Sequence, residues 1–373
     1  MNIFEYLLPF LLVLSVLIFF HELGHFWVAR RCGVKVEVFS IGFGREIVGW
    51  NDRHGTRWKI SWLPLGGYVK MYGDADPAST PGAEISHMDA AERSVSFHHK
   101  TLLQRSAIVA AGPVANFLLA IVLLAGAFAT VGQPFTPALV GGVLPGSAAE
   151  RAGVQAGDRV TAIDGKRIER FEEIQRFVQL NLERPTVLTI DRDGRSLDLP
   201  ITPAVIEETN RLGQVTRVAR LGIRGQGMSF KAHDPLTAVW RAAGETWTQA
   251  AGTLKALGQM IVGTRGTEDL GGPIRIAQMS GEMAQGGIAN LIVFMAILSI
   301  NLGLINLFPV PMLDGGHLVL YALEAVRGRP LPPRAVEYGF RIGFGLVISL
   351  MVFATWNDLV HTGVVRFLVG LVS

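Results

Sequence analysis

The sequence predicts an α-helical membrane protein with four transmembrane helices and one β-rich domain inserted between the second and the third. Of its 373 residues, 49% are hydrophobic and only 17% are charged, whereas soluble domains are about a quarter charged. Four apolar stretches are long enough to cross a bilayer. Between residues 133 and 203 the composition becomes that of a soluble domain, with glycine-containing turns.

The predicted spans are separated by links that differ in charge. Both the link before the second span and the link before the fourth are rich in Lys and Arg, whereas residues 1–20 contain neither. Because basic links stay in the cytoplasm, both termini and the inserted domain are predicted outside it. Basic residues that cluster beside apolar spans also argue against a nucleic-acid partner. The spans are Phe4–Ala29, Ser106–Val131, Ile288–Phe308 and Ala335–Trp356.

The end of the first span carries the pattern His21-Glu22-Leu23-Gly24-His25. Two histidines four residues apart lie on one helical face, where both imidazoles can bind one Zn²⁺, and the glutamate between them can activate a water. Ionisable groups in a membrane segment are costly and usually functional. Helix rise places His21 about 26 Å from Phe4, close to the cytoplasmic edge of the bilayer. The one cysteine, Cys32, excludes a disulfide within the chain or a multi-cysteine zinc site.

A third protein ligand is needed, because a catalytic zinc usually has three. Asp314 is the candidate, since the first and third spans run in the same direction and their ends meet on the cytoplasmic side. Pro309 and Pro311 break the helix just before it, and unwound backbone at membrane depth lines a cavity. The alternative is a simple turn that happens to contain an aspartate.

These motifs resemble the site-2 protease family of intramembrane metalloproteases, over nearly the whole chain. The resemblance implies that His21, His25 and Asp314 bind Zn²⁺ and that Glu22 is the catalytic base. It also implies that Asn306, Pro309 and Pro311 help to receive an unwound substrate. The motifs that carry it are His21–His25, Gly112-Pro113-Val114-Ala115-Asn116, Gly271-Gly272-Pro273-Ile274 and Asn306–Gly316.

The family also implies a location and a substrate class. It places the chain in the bacterial inner membrane, with the active site near the cytoplasmic side and the inserted domain in the periplasm. Its substrates are single-pass membrane proteins already cut outside, such as an anti-sigma factor, or remnant signal peptides.

The segment between the first two spans is predicted to form a β-hairpin. Val36–Gly44 and Trp58–Val69 alternate loosely and have glycines between them. Two placements fit: a cytoplasmic hairpin packed on the membrane face, or a hairpin that re-enters the membrane. The family resemblance favours the re-entrant one, in which an edge near Gly42 and Gly44 captures extended substrate.

The inserted region resembles a single PDZ domain plus a short β segment, at residues 133–226. It has a helix at Phe171–Leu182 and a hairpin, Thr186–Asp191 and Ser196–Ile201, across Asp193-Gly194. Relatives often carry two such domains. Two roles remain open: binding of substrate ends by strand addition, or a steric filter against large external domains.

The next region, 227–287, contains apolar residues at helical spacing within His233–Thr264. We expect an amphipathic helix on the outer membrane surface, or else a buried helix of the inserted domain. Residues 1–132 and 288–373 form the two membrane parts. His317 is a further residue of interest, one helical turn beyond Asp314. The apolar positions are Trp240, Trp247, Leu254, Leu257 and Ile261.

Three rival functions remain to be tested. A catalytically inactive scaffold would use only its PDZ domain, but would not need Glu22 beside a complete ligand set. A transporter could bury His and Glu, but the sequence shows no inverted repeats. A metalloprotease of another type, with its site facing solvent, would take a glutamate instead of Asp314 as third ligand.

Overall fold

The computed structural model describes residues 4–75, 82, 85, 87–180, 184–209, 215–227, 229–263 and 271–361. The chain divides into two compact units, Met1–Ala127 with Pro235–Ser373, and Phe128–Asp234. The helices are α1 Phe4–Arg31, α2 Ala90–Val95, α3 Leu102–Thr130, α4 Ala148–Arg151, α5 Phe171–Leu180, α6 Pro235–Ile261, α7 Pro273–Gln285, α8 Ile288–Asn306, α9 Asp314–Arg327 and α10 Pro333–His361. The strands are β1 Val36–Asn51, β2 Arg57–Met71, β3 Gln133–Phe135, β4 Val140–Val143, β5 Arg159–Ile163, β6 Lys166–Arg167, β7 Thr186–Arg192, β8 Arg195–Ile201, β9 Ala204–Thr209, β10 Val215–Arg220, β11 Ile223–Gly225 and β12 Ser229–Lys231.

Four helices of the described chain are long and apolar enough to cross a membrane: α1, α3, α8 and α10. The prediction of four such helices is therefore confirmed. α8 ends at Asn306, two residues before the predicted end of the third span. Its early end leaves the whole proline-containing segment outside regular helix.

Small residues let α1, α3 and α8 approach closely. A side chain at Gly24 of α1 would collide with the backbone oxygen of Ala111 on α3. On α8, a Cβ at Gly303 would lie 3.0 Å from the Pro113 oxygen, and the Ser299 hydroxyl donates to the Asn116 backbone oxygen at 2.8 Å. Close approach through small residues is the usual packing mode of membrane helices.

The predicted β-hairpin is present, but its strands are longer than expected and bend. The first half of β1 pairs with both halves of β2, for example Phe39 with Val69 and with Trp58. The second half of β1 pairs with the first half of β2, as in Trp50 with Trp58. The bends convert two strands into a sheet of four segments, with residues 63–71 and 46–51 at its edges. Positive φ angles at Gly42 and Gly44 permit the bend in β1. Re-entry of this sheet into a membrane stays a prediction.

The segment between α8 and α9 is a compact turn. The backbone N–H of Val310 donates a hydrogen bond to the Phe308 oxygen, and the backbone N–H of Leu313 donates one to the Val310 oxygen. Gly315 and Gly316 must lack side chains, because a Cβ on either would collide with backbone oxygens of this turn. The turn therefore packs directly on the first turn of α9, where Asp314 lies.

The Gly271-Gly272-Pro273-Ile274 motif forms the start of α7. The buried carboxylate of Asp358 on α10 accepts hydrogen bonds from the backbone N–H groups of Gly272, Ile274 and Arg275, at 2.8–3.0 Å. A negative charge at a helix N-terminus is stabilising. The motif thus couples α7 to the fourth apolar helix.

α6 belongs to the same unit as the apolar helices. It contacts α8 through a hydrogen bond from Thr253 to Asn301, whereas Trp240 and Trp247 are 80% and 76% exposed. The alternative of a buried helix within the inserted domain therefore does not hold. A location on the membrane surface stays a prediction, and Thr264, its predicted last residue, lies outside the described residues.

The second unit contains an antiparallel sheet in the order β6-β5-β7-β8. β7 and β8 form the predicted hairpin, with positive φ at Asp193 and Gly194 in its two-residue turn. α5 begins at the predicted residue and is described to Leu180, so the predicted end at Leu182 lies outside the described residues. The core includes Val160, Ile163, Ile174, Leu188 and Ile190, all nearly inaccessible to solvent.

Candidate metal centre

Three side chains from α1 and α9 converge on one point. The His21 Nε2 atom lies 3.2 Å from His25 Nε2 and 3.2 Å from Asp314 Oδ2. The distance from His25 Nε2 to Asp314 Oδ1 is 3.6 Å. Zinc bonds of about 2.0–2.1 Å at tetrahedral angles separate ligand atoms by about 3.3 Å. The three groups therefore fit one Zn²⁺. The structure brings Asp314 together with the two histidines, and their role as zinc ligands stays a prediction.

The state of Asp314 also suits a cation ligand. Its Oδ2 atom is buried and has no hydrogen-bond partner among the described residues. Burial raises the pKa of this carboxyl, but the neighbouring imidazoles of His25 and His21 lower it further, so the pKa lies below its usual range. The ionised form of a carboxyl is the one that binds a metal.

The outer nitrogens of both imidazoles are held by α3. The His25 Nδ1–H group donates to the Ile108 backbone oxygen at 2.9 Å, which leaves Nε2 free for a metal. The His21 Nδ1 atom lies 3.1 Å from the Asn116 side-chain amide. With Nε2 on a metal, Nδ1 is protonated. Rotation of this amide by 180° would offer it Oδ1, a buried oxygen with no hydrogen-bond partner in the part of the chain that the structure describes.

The role of Asn116 could not be found from spacing alone. Its motif was recognised, but its partner lies 95 residues away on another helix. Gly112 of the same motif has a related role. A Cβ there would collide with the Nε2 and Cε1 atoms of His25 and would lie 2.9 Å from Cε1 of His21.

We expect Gly112→Ala to disturb the metal centre without unfolding α3, because alanine favours a helix interior by about 0.5–1 kcal/mol over glycine. The added methyl group must push His25 away, so zinc affinity should fall by at least about tenfold. Metal content after dialysis against competing chelators measures this. Gly126→Ala on the same helix is the matched control, since its Cβ would meet nothing within 4 Å. Equal zinc affinity in the two variants would contradict the assignment.

Glu22 lies beside the ligands in a cavity of about 190 Å³. A backbone N–H of Val69, on the edge segment of β2, donates to its carboxylate. Gly67 on the same segment cannot carry a side chain, because a Cβ would lie 2.6 Å from Ile18, 2.8 Å from the Ser40 oxygen and 3.1 Å from Glu22. The β2 edge, which no motif indicated, thus forms one wall of the cavity.

Of the predicted substrate-binding residues, one lines the cavity and the other four lie in the neighbouring turn or at the bend of β1. Asn306 lines the cavity, together with Met312 and Leu313 of the following turn. Pro309 and Pro311 lie in that turn but not among the described lining residues, and Gly42 and Gly44 lie at the bend of β1. His317 lines the cavity as well, packed against Phe340 with a ring-centroid separation of 5.2 Å.

Comparison with known proteins places this geometry in a family. A protein of Rhizobium meliloti, whose name describes it as a putative zinc metalloprotease, is 46% identical over 95% of this chain and 96% of its own length. Protease RseP of Yersinia pestis is 34% identical over 96% of this chain and 99% of its own. The PDZ domain of an SdrC-like protein from Listeria innocua covers 24% of this chain and 94% of its own, at 16% identity and a TM-score of 0.20. A likeness this low leaves the PDZ assignment a proposal. The family model described as Peptidase family M50 matches residues 9–350. The chain belongs to this family, the site-2 proteases that its motifs resemble.

Proposed function

We propose that this protein is an intramembrane zinc protease that hydrolyses peptide bonds within, or at the edge of, the transmembrane segments of single-pass membrane proteins. The observation that carries the proposal is the convergence of His21, His25 and Asp314 beside Glu22 in one cavity. Names of relatives that include zinc and protease support the chemistry.

Each group of the site has a defined task. His21, His25 and Asp314 would hold Zn²⁺, which when bound polarises the scissile carbonyl and lowers the pKa of a water molecule. Glu22 accepts the proton of the attacking water and delivers it to the leaving amide nitrogen. Asn116 and the Ile108 carbonyl keep the imidazoles oriented.

The edge of β2 supports a mode of substrate binding. Residues 63–71 pair with β1 on one side and, among the described residues, with no strand on the other. A substrate that unwinds can add to this free edge as an extended strand, whatever its sequence. Asn306, Pro309 and Pro311 would receive the unwound segment, and Gly42 and Gly44 would shape the sheet that presents the edge.

The distribution of basic residues supports the orientation in the membrane. We place the protein in the bacterial inner membrane, with both termini and the inserted PDZ domain on the periplasmic side and the metal centre near the cytoplasmic side. Substrates would be of the anti-sigma-factor type, or remnant signal peptides, after a first cut outside. The inserted domain would bind or filter their external ends.

The test is cleavage of a model single-pass substrate by the full chain in lipid nanodiscs. We expect cleavage within the transmembrane segment, loss of cleavage when a chelator removes zinc, and recovery when zinc is restored. A substrate with a helix-breaking residue near the cut should be cleaved faster than one with a continuous leucine helix. Absence of cleavage by zinc-loaded protein would favour the scaffold instead.

A further inference from the structure

A second cavity, of about 610 Å³, lies at the end of α1 that carries the basic residues. Its walls come from the last turns of α1, the residues that lead into β1, and the β1–β2 turn. It shares no described lining residue with the cavity of the metal centre. The lining residues that matter here are Phe26, Trp27, Arg30, Arg31, Lys35 and Val36.

Positive charge dominates one wall of this cavity. Arg30 is neutralised by Asp52, at 2.9 Å. Arg31 lies over the Trp27 ring at 4.2 Å, and Lys35 lies over the Tyr72 ring at 5.0 Å. Within the described part of the chain, neither Arg31 nor Lys35 has a carboxylate within ion-pair distance. Two exposed cations thus border the cavity, each lying over an aromatic ring.

The other wall is apolar. Phe26, Val34 and Val36 are each less than 9% exposed, whereas Trp27 is 56% exposed. Tryptophan at the end of a membrane-spanning helix marks the interface between hydrocarbon and head groups. The cations alone would suffice to bind a free inorganic anion. A cationic wall beside an apolar wall instead matches a molecule that has an anionic group and an apolar part.

We propose that this cavity binds an anionic phospholipid. Arg31 and Lys35 contact the phosphate and the charged head group, and Phe26 and Trp27 contact the glycerol region and the start of the acyl chains. Anionic lipids attract basic residues at the cytoplasmic surface, the side on which we place this end of α1. The bound lipid would hold the end of the helix that carries the metal ligands, six residues beyond His25.

Native mass spectrometry of the full chain, titrated with phosphatidylglycerol and with phosphatidylethanolamine, tests the proposal. We expect wild type to bind phosphatidylglycerol at least about tenfold more tightly than phosphatidylethanolamine. Arg31→Gln with Lys35→Gln should weaken phosphatidylglycerol binding by roughly thirtyfold. The matched control, Arg327→Gln with Arg329→Gln, removes the same charge from another basic link and should stay within about twofold of wild type.

Two further measurements separate the sources of the effect. Millimolar inorganic phosphate should displace little of the lipid, whereas complete displacement would mean an adventitious ion site only. Phosphatidylglycerol binding to wild type should weaken as salt rises, which decides the matter even where the double variant folds poorly. Equal affinity for the two lipids, equal loss in the control variant, or binding that is independent of salt would overturn the proposal.

Discussion

Glu22→Gln should retain zinc but lose cleavage, with kcat lower by about 10²–10⁴, the contribution typical of a positioned acid–base group. The amide has nearly the shape of the carboxylate and can still accept the Val69 N–H hydrogen bond, so the β2 edge stays in place. It cannot accept a proton from water at neutral pH. Turnover of the single-pass substrate in nanodiscs, with zinc content measured on the same sample, checks both halves of the expectation.

Glu5→Gln is the matched control for that experiment. Glu5 lies on the same helix in its first turn and is exposed, so its loss removes an equal charge far from the cavity. Wild-type turnover in Glu22→Gln would end the assignment of Glu22 as base. Loss of zinc in that variant would instead make Glu22 part of the ligand set.

Asp314→Ala should abolish zinc binding, with affinity weaker by at least about a hundredfold. Two imidazoles alone leave the metal one protein ligand short, and the carboxylate oxygens lie 3.2 Å and 3.6 Å from the two ligand nitrogens. Cleavage should disappear together with the metal, unlike in Glu22→Gln, where the metal remains. Zinc content after gel filtration, followed by a zinc titration against a chromogenic chelator, measures the change.

Two companion variants make this result specific. Asp314→Glu keeps a carboxylate on a longer stem and should recover part of the affinity. Glu337→Ala removes an exposed carboxylate from α10 and should leave zinc binding unchanged. Full zinc occupancy in Asp314→Ala would favour the rival site, in which a glutamate is the third ligand.

Features that depend on neighbouring residues in the chain were predictable. The His21–His25 spacing puts two imidazoles on one helical face wherever the helix lies, because 3.6 residues complete a turn. Hydrophobic length alone indicated the four apolar helices, which the structure confirms. Pro309 and Pro311 stop a helix by their own chemistry, and the Asp193-Gly194 pair favours a tight hairpin turn wherever it occurs.

The pairing of Asp314 with the histidines was predictable only in part. Span directions indicated that the ends of the first and third spans lie on the same side, but not that they touch. Contact depends on Gly24, Gly303, Gly315 and Gly316, each of which lets one backbone approach another. A glycine in the sequence does not reveal which helix it meets.

By itself, then, the sequence determined the elements that form locally: the apolar helices, the zinc-binding spacing and the breaks between elements. The tertiary structure alone decided which distant groups meet, including Asn116 with His21, the β2 edge with Glu22, and the cationic cavity at the end of α1. The physical reason is that the hydrogen bonds within a helix or a tight turn, and rotamer preferences, depend on residues only a few positions apart. Close packing between helices is set by side chains that are far apart in the chain and depend on one another.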